Sequence, residues 1–404
     1  MKALSFFLIL TLISSPLLAQ NQIPSAEQLA KWLKRFPEAD GNGDGTLTLE
    51  EATDYRKELR KRMQTEKGGN RAPGAPRTFE VDPRWAEKNF PENAVSFLSP
   101  EEIAAVYAEK AGGRNKAVTS FEKPTDGAIR IVGTGHSFMA PGYRTFPQIT
   151  RAAGFEQPLF THTSGGMTGS ARYKWEQENG IFEFEGDPTP KLLASIANAD
   201  WEAMMWGPYF QDKPEYYSCW IDFCLKYHPD MKFYLSDAWI QLYQMGETPK
   251  SEDAFTDEVI VQMGKEKQEG YIGLIETLRE SYPDKVFILP TSDAMTLAAR
   301  KQIRGELPGV EGMHRAVGGK ERSLWRDPLG HLGPGFDRLE GYVFYATIYG
   351  QSPELIEGDV DFGSTGDFPG EELDRIFRKI AWEAVINHPF SGVTDTDGDG
   401  KNDS

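Results

Sequence analysis

Between residues 128 and 304, short apolar runs alternate with stretches that have helical periodicity, and two further helical patterns follow. The apolar runs lie at 128–132, 202–206, 232–235 and 286–289. The helical patterns lie at 146–153, 190–196, 216–227, 254–281, 294–304, 341–349 and 370–386. Strands separated by helices are typical of a parallel sheet that is covered on both faces. We therefore predict a doubly wound, flavodoxin-like three-layer α/β fold over residues 96–390.

The first apolar run ends in a glycine-containing turn that carries a serine. It reads Ile-Arg-Ile-Val-Gly-Thr-Gly-His-Ser-Phe over 129–138. Open α/β sheets bind their ligands at the carboxyl ends of the strands. Ser137 is therefore a candidate nucleophile, and the alternative is that it caps the following helix.

A serine hydroxyl becomes an effective nucleophile when a histidine, oriented by a carboxylate, removes its proton. Among the six histidines, His331 has the most suitable setting, because Asp327 precedes it by four residues in a loop shaped by Pro and Gly. The alternative is a structural turn without a catalytic role. His228 and His388 lie beside prolines at the ends of predicted helices, which indicates capping.

Three motifs together resemble the SGNH, or GDSL-like, hydrolases. They read V-G-T-G-H-S-F at 132–138, S-G-G-M-T-G-S at 164–170 and D-P-L-G-H at 327–331. Their order and spacing are similar to those of a secreted bacterial branch of that superfamily that often carries EF-hand loops. The resemblance covers about residues 127–390 and implies an SGNH-like sheet with a serine esterase site.

The resemblance assigns a role to each motif. It implies that Ser137 attacks an ester carbonyl, that His331 takes and returns the proton, and that Asp327 orients His331. It also implies an oxyanion hole made by the backbone N–H of Ser137 and that of Gly166 or Gly165. Ester hydrolysis of this kind requires no cofactor.

The chain departs from the family at the end of the run 202–206. The family has G-x-N-D there, with the Asn as an oxyanion donor, whereas residues 205–209 read Met-Trp-Gly-Pro-Tyr. Two functions therefore stay open. One is an esterase acting on a small-molecule or polysaccharide ester, and the other is a non-catalytic SGNH-like scaffold that serves as a calcium-dependent binding or surface protein.

A second, independent motif lies near the N-terminus. Residues 40–51 match the EF-hand loop pattern D-x-[DN]-x-[DN]-G-x₅-E without a gap. Calcium takes six to eight oxygen ligands, which this loop supplies at alternate positions. The ligand positions are Asp40, Asn42, Asp44, Thr46, Thr48 and Glu51. We predict a small all-α calcium-binding helix–loop–helix over residues 20–66.

The last residues of the chain, 391–404, form an acidic, Asp-rich run. Aspartates alternate with small residues there, which again suits calcium. The candidate ligands of a second metal site are Asp395, Asp397, Asp399, Lys401 and Asp403. The alternative is a solvated acidic tail, because the chain ends before a glutamate at the twelfth position of the loop.

Composition and the chain termini limit the location and partners of the protein. Residues 1–19 combine Lys2, an apolar run and a small-residue cleavage site, which predicts a signal peptide and a secreted or periplasmic protein. No later stretch is apolar enough to predict a transmembrane segment. A net charge of −17 disfavours nucleic acid as a partner.

Two further features concern organisation rather than chemistry. Residues 67–95 are rich in Gly and Pro, which predicts a linker. Cys219 and Cys224 lie five residues apart in a predicted helix, a spacing that places them on different faces. We expect buried thiols or a local bridge there rather than a metal site.

Overall fold

The computed structural model describes the chain in several ranges. These are residues 26–35, 37–52, 54–55, 99–111, 118–163, 173, 176, 192–207, 214–237, 239–363 and 368–403. The chain divides into two units, Met1–Ala72 and Pro73–Ser404. The predicted signal peptide at 1–19 and the predicted linker at 67–95 lie outside the described residues.

A parallel sheet of five strands forms the centre of the second unit. The strands are β1 Ile131–Gly135, β2 Leu159–Thr163, β3 Ala203–Trp206, β4 Lys232–Ser236 and β5 Val286–Leu289. Their order is β2-β1-β3-β4-β5, and all neighbours are parallel. This is the flavodoxin-like order, so the predicted doubly wound α/β fold is confirmed.

The helices are numbered in chain order, and two of them precede β1. They are α1 Ala26–Arg35, α2 Pro100–Ala111, α3 Ala140–Ala152, α4 Leu192–Asn198, α5 Glu215–Tyr227, α6 Asp257–Ser281, α7 Thr291–Ile303, α8 Arg315–Gly318, α9 Phe336–Tyr349 and α10 Glu371–Asn387. Helix α1 belongs to the first unit, and the others belong to the second. Within the described residues, no helix combines the length and apolarity needed to cross a membrane.

Alternate residues of each strand point to opposite faces of the sheet, which creates two cores. In β1, Ile131 belongs to the core that includes side chains of α3, α7, α9 and α10, and Val132 belongs to the core that includes side chains of α2, α4 and α5. Helix α6 contributes side chains to both cores. Both residues have no exposed surface. The two faces explain why the central strands read as continuous apolar runs, since buried parallel strands need apolar side chains on both sides.

The sequence pattern missed three strands. Strand β2 pairs with β1 from Ile131↔Leu159 to Gly135↔Thr163. Its sequence, Leu-Phe-Thr-His-Thr, is only half-buried because it forms the edge of the sheet, and it therefore lacks an apolar run. Strands β6 Gly312–His314 and β7 Ser323–Trp325 form a separate two-stranded parallel sheet, and each is too short to give a periodic signal.

The acidic C-terminal run packs against the α/β unit. Lys401 forms a β-bridge with Gln351, and Ser352 N–H donates to the Gly400 carbonyl at 2.7 Å. The indole N–H of Trp382 donates to Asp395 at 3.0 Å. These contacts make residues 391–403 part of the folded unit rather than a solvated tail.

Cys219 and Cys224 are both buried in α5 and are not bridged. Burial raises the pKa of both thiols well above the ordinary value. They are therefore inert core residues, as one of the two sequence alternatives expected.

His388 lies at the C-terminus of α10, where its Nδ1 accepts the N–H of Phe390 at 3.1 Å. Among the described residues its Nε2 has no hydrogen-bond partner, and the side chain is buried. Burial lowers the pKa of His388 from 6.5 to about 4. The folded protein therefore keeps this imidazole neutral where the unfolded chain binds a proton.

This difference predicts acid destabilisation. Between pH 6.5 and pH 4 the unfolded chain binds the extra proton, so stability falls as the pH drops, by about 3 kcal/mol for this group. His388→Asn keeps a side-chain acceptor but does not titrate, and should lose this part of the pH dependence. Urea unfolding of both proteins at pH 4 and pH 7 measures it, and equal pH dependence in the two would contradict the prediction.

Candidate active site

Ser137 lies in the turn between β1 and α3, at the carboxyl end of the strand. The turn is closed by the His136 carbonyl, which accepts the N–H groups of Met139 and Ala140 at 3.0 and 3.3 Å. Met139 is the N-cap of α3, so Ser137 does not cap this helix. The capping alternative is therefore wrong, and Ser137 is exposed.

The hydroxyl of Ser137 begins a chain of hydrogen bonds. Its Oγ lies 2.7 Å from His331 Nε2. His331 Nδ1 lies 2.9 and 2.8 Å from the two carboxylate oxygens of Asp327. The structure thus brings together all three side chains that the sequence analysis proposed as nucleophile, base and orienting carboxylate.

The carboxylate of Asp327 also shapes the loop that carries His331. Oδ1 accepts the backbone N–H of Leu329 at 3.1 Å and that of His331 at 3.4 Å. Burial raises the pKa of Asp327, but the hydrogen bonds from His331 and Leu329 outweigh this and leave it below the ordinary value. Asp327 is therefore ionised at neutral pH and orients Nδ1 of His331 as a donor, which leaves Nε2 as the acceptor that faces Ser137.

Two aromatic side chains support the imidazole. The ring centroid of Phe138 lies 4.8 Å from that of His331 and 4.5 Å from that of Trp239. Phe138 follows Ser137 directly, and Trp239 follows β4 and is fully buried. Packing of this kind restricts the plane of the His331 ring, a role for which the sequence offered no signal at Trp239.

The carboxyl ends of β1 and β3 are held together by Tyr143 of α3. Its hydroxyl lies 2.9 Å from the Thr134 carbonyl and 2.7 Å from the Met205 carbonyl. Burial raises the pKa of Tyr143 well above its ordinary value, so the hydroxyl stays a donor. This contact sets the spacing of the two strands beside Ser137.

His136 lies between the nucleophile turn and the end of β3. Its Nδ1 accepts the N–H of Phe138 at 3.3 Å. Its Nε2 faces Gly207, 3.9 Å from the point that a Cβ on this glycine would occupy. The remaining positions predicted for the oxyanion hole, Gly165 and Gly166, lie outside the described residues.

The loop 327–331 packs tightly on the segment after β4. Leu242 N–H donates to the Pro328 carbonyl at 3.1 Å. Gly330 has a φ of +88°, and a Cβ there would overlap the Ile240 carbonyl oxygen. Only glycine satisfies both the backbone conformation and this close approach.

Gly330→Ala should therefore displace the loop. Backbone strain costs about 1–2 kcal/mol, and the overlap with Ile240 adds to it. We expect lower stability in urea and loss of the NMR signal of the proton between His331 Nδ1 and Asp327. Gly319→Ala is the matched control, since Gly319 has a φ of +70° with open space around it. Equal behaviour of the two variants would contradict the proposed contact.

The first unit contains the loop 40–51. Asp40 accepts the N–H groups of Gly43, Asp44 and Gly45 at 2.7, 3.2 and 2.8 Å. Glu51 reaches back across the loop and accepts the N–H groups of Asn42 at 3.3 Å and Thr48 at 3.0 Å.

The same loop is also held closed by the Asp44 side chain, by a turn at Gly45 and by a small core. Asp44 Oδ1 accepts the N–H of Thr46 at 2.8 Å, and Gly45 has a φ of +81° that permits the sharp turn. Leu47 is buried in a small core with Leu29 and Leu33. The side chains of Asp40, Asn42, Asp44 and Glu51 thus all accept backbone N–H groups within one compact loop.

The C-terminal run also gathers carboxylates. Oxygens of Asp395, Asp397 and Asp403 lie within 4.8 Å of one another. Asp399 Oδ1 instead accepts the N–H of Lys401 at 2.8 Å. Three of the five residues predicted for a second metal site therefore come together through their side chains.

No protein-family model and no curated protein matches the chain. Among solved structures, it is similar to a DUF4886 family protein from Bacteroides uniformis, with 10% identity and a TM-score of 0.42 over 64% of this chain and 95% of that one. It is similar to a protein provisionally described as a platelet activating factor from Streptococcus pneumonia (11%, 0.31, 62% and 93%). It is also similar to a lipopolysaccharide acetyltransferase periplasmic domain from Salmonella ser. Paratyphi A (12%, 0.30, 63% and 97%). At these TM-scores the likeness favours no particular activity.

Proposed function

We propose that the α/β unit is a serine hydrolase that cleaves carboxylic esters. The observation that carries this proposal is the unbroken hydrogen-bond chain from Ser137 through His331 to Asp327. It lies where the strand order reverses between β1 and β3, the place at which open parallel sheets bind ligands. Nucleophile, base and orienting group are thus within reach of one another at an exposed strand end.

The geometry supports acyl transfer in two steps. His331 Nε2 takes the proton of Ser137 as Oγ bonds to the ester carbonyl carbon, whose C=O π electrons move onto oxygen. The tetrahedral oxyanion collapses as the alcohol leaves with the proton from His331. Water then gives a proton to His331 Nε2 as its oxygen attacks the carbonyl carbon of the acyl-enzyme. The carboxylic acid is released, and Ser137 regains its proton from His331. Asp327 stabilises the imidazolium without becoming protonated.

The developing oxyanion needs donors close to Ser137. We propose that the backbone N–H of Ser137 supplies one and that of Gly166 or Gly165 another. Removing a single such donor typically costs about 3 kcal/mol in transition-state stabilisation. Backbone donors also account for an active site without the family's asparagine.

The proposal predicts turnover of p-nitrophenyl acetate by the wild-type protein. Ser137→Ala should reduce kcat to the background rate, and Asp327→Asn should reduce it by about 10⁴-fold because the wrong tautomer of His331 is stabilised. A fluorophosphonate probe should add to Ser137 of the wild type, as measured by peptide mass spectrometry. Ser137→Ala should unfold in urea as the wild type does, since the Ser137 side chain is exposed and lies outside the core.

A wild-type rate no higher than that of Ser137→Ala, without probe labelling, would refute the hydrolase and favour the non-catalytic scaffold.

We further propose that residues 1–19 direct export and that acyl esters on polysaccharides are the natural substrates. Release of acetate from acetylated polysaccharide by the wild type, but not by Ser137→Ala, tests the substrate class separately.

We also propose that the loop 40–51 binds calcium. The donor set fits this ion, because Asp40, Asn42, Asp44 and Glu51 supply hard oxygens from one compact loop at the spacing of an EF-hand. Hydrogen bonds from Thr48 lower the pKa of Glu51, so its carboxylate is ionised when calcium arrives. Bound calcium would hold the loop closed through its ligands, which favours a structural role.

Calorimetric titration of the whole protein should show calcium binding with a Kd on the order of 10⁻⁴–10⁻³ M, the range of extracellular sites. Glu51→Gln should weaken binding by at least about 10-fold because a bidentate carboxylate is lost. Glu50→Gln is the matched control, since Glu50 does not occupy a ligand position. Asp395→Asn separates any heat that comes from the C-terminal run, and unchanged binding in Glu51→Gln would contradict the assignment.

A further inference from the structure

Helix α6 carries a buried lysine that the proposed reaction does not use. Lys267 is only 9% exposed. Its Nζ donates to Gln241 Oε1 at 3.1 Å and to the Tyr243 hydroxyl at 2.9 Å. Burial lowers the pKa of Lys267 to about 8. A buried amine is costly, so its position calls for a reason beyond packing.

Gln241 connects this lysine to the loop of His331. Its Nε2 donates to the Leu329 carbonyl at 3.0 Å, and the side chain is 7% exposed. A lysine Nζ can only donate and a carbonyl can only accept. Lys267 on one side and Leu329 on the other therefore dictate which way the Gln241 amide faces.

The contact falls in the middle of the loop 327–331. Leu329 donates its N–H to the carboxylate of Asp327, and its carbonyl accepts from Gln241. The residue between Asp327 and His331 is thus held at both of its backbone polar groups. Any drift of Leu329 would alter the separation of the carboxylate from the imidazole.

We propose that Lys267 and Gln241 are positioning residues that hold the Asp327–His331 pair in register with Ser137. This role rests on the proposed hydrolase function. Lys267 orients the amide of Gln241, and Gln241 holds the loop. Neither residue touches substrate.

The test compares Lys267→Met, Gln241→Met and the wild type in ester hydrolysis. A displacement of about 1 Å of a catalytic group can cost about 100-fold in rate. We expect kcat to fall about 10- to 100-fold in each variant with KM changed less than about 3-fold, because the pair and not the binding surface is disturbed. The NMR signal of the proton between His331 Nδ1 and Asp327 should broaden or disappear. Lys265→Met, an exposed position on the same helix, is the control and should match the wild type.

The double variant shows whether the two residues act in series. If Lys267 acts through Gln241, the double variant should lose no more kcat than Gln241→Met alone. If the losses of kcat in the two single variants multiply in the double variant, the proposal is overturned. It is also overturned if the single variants have a lower melting temperature but keep the wild-type kcat and proton signal. Gln241→Glu keeps a polar partner for Lys267 but cannot donate to Leu329, and serves if a methionine variant does not fold.

The proton signal separates this proposal from the proposed function. If the wild type hydrolyses no ester, the proposed hydrolase function is refuted. The positioning role of Lys267 and Gln241 is then tested by the NMR signal of the proton between His331 Nδ1 and Asp327 alone. If this proton signal persists in folded Gln241→Met or Gln241→Glu, the positioning role is refuted whether or not the enzyme is active.

Discussion

Strand β1 hydrogen-bonds to β2 on one side and to β3 on the other, and the positions of the functional side chains follow from this pairing. A chain that winds first one way and then the other leaves a crevice where its connections diverge. Ser137 lies at this position in the topology, directly after β1. Tyr143 ties the two diverging strand ends together, so the serine projects from a rigid edge rather than from a mobile loop.

The other half of the site has little regular structure and depends on local hydrogen bonds. Asp327 accepts from two backbone N–H groups and from the imidazole of His331, so one carboxylate both folds the loop and orients the imidazole. Its charge is compensated by donors rather than by a strong ion pair, since Arg326 is 3.7 Å away and exposed. The conformation of the loop and the orientation of His331 are therefore coupled through the same side chain.

Within the described residues, the same local hydrogen-bonding pattern occurs at three aspartates. Asp40 accepts the N–H groups of residues 43, 44 and 45, Asp395 those of 398 and 400, and Asp327 those of 329 and 331. Each carboxylate closes a tight loop on itself. At Asp327 the carboxylate additionally accepts an imidazole N–H, whereas the other two aspartates lie in Asp-rich loops. Similar loops thus place an aspartate beside different neighbouring side chains.

The sequence by itself determined the features that depend on near neighbours. Apolar runs marked the central strands, and the four-residue spacing of Asp327 and His331 marked a pair that can form within one loop. The sequence pattern did not predict strand β2, because an edge strand needs little apolar surface and its pairing with β1 is a tertiary contact. The approach of Ser137 to His331 spans 194 residues, and that of Gln241 to Leu329 spans 88. Only the packed sheet and its loops decide such contacts, because no local pattern encodes which distant backbone carbonyl or ring a side chain will meet.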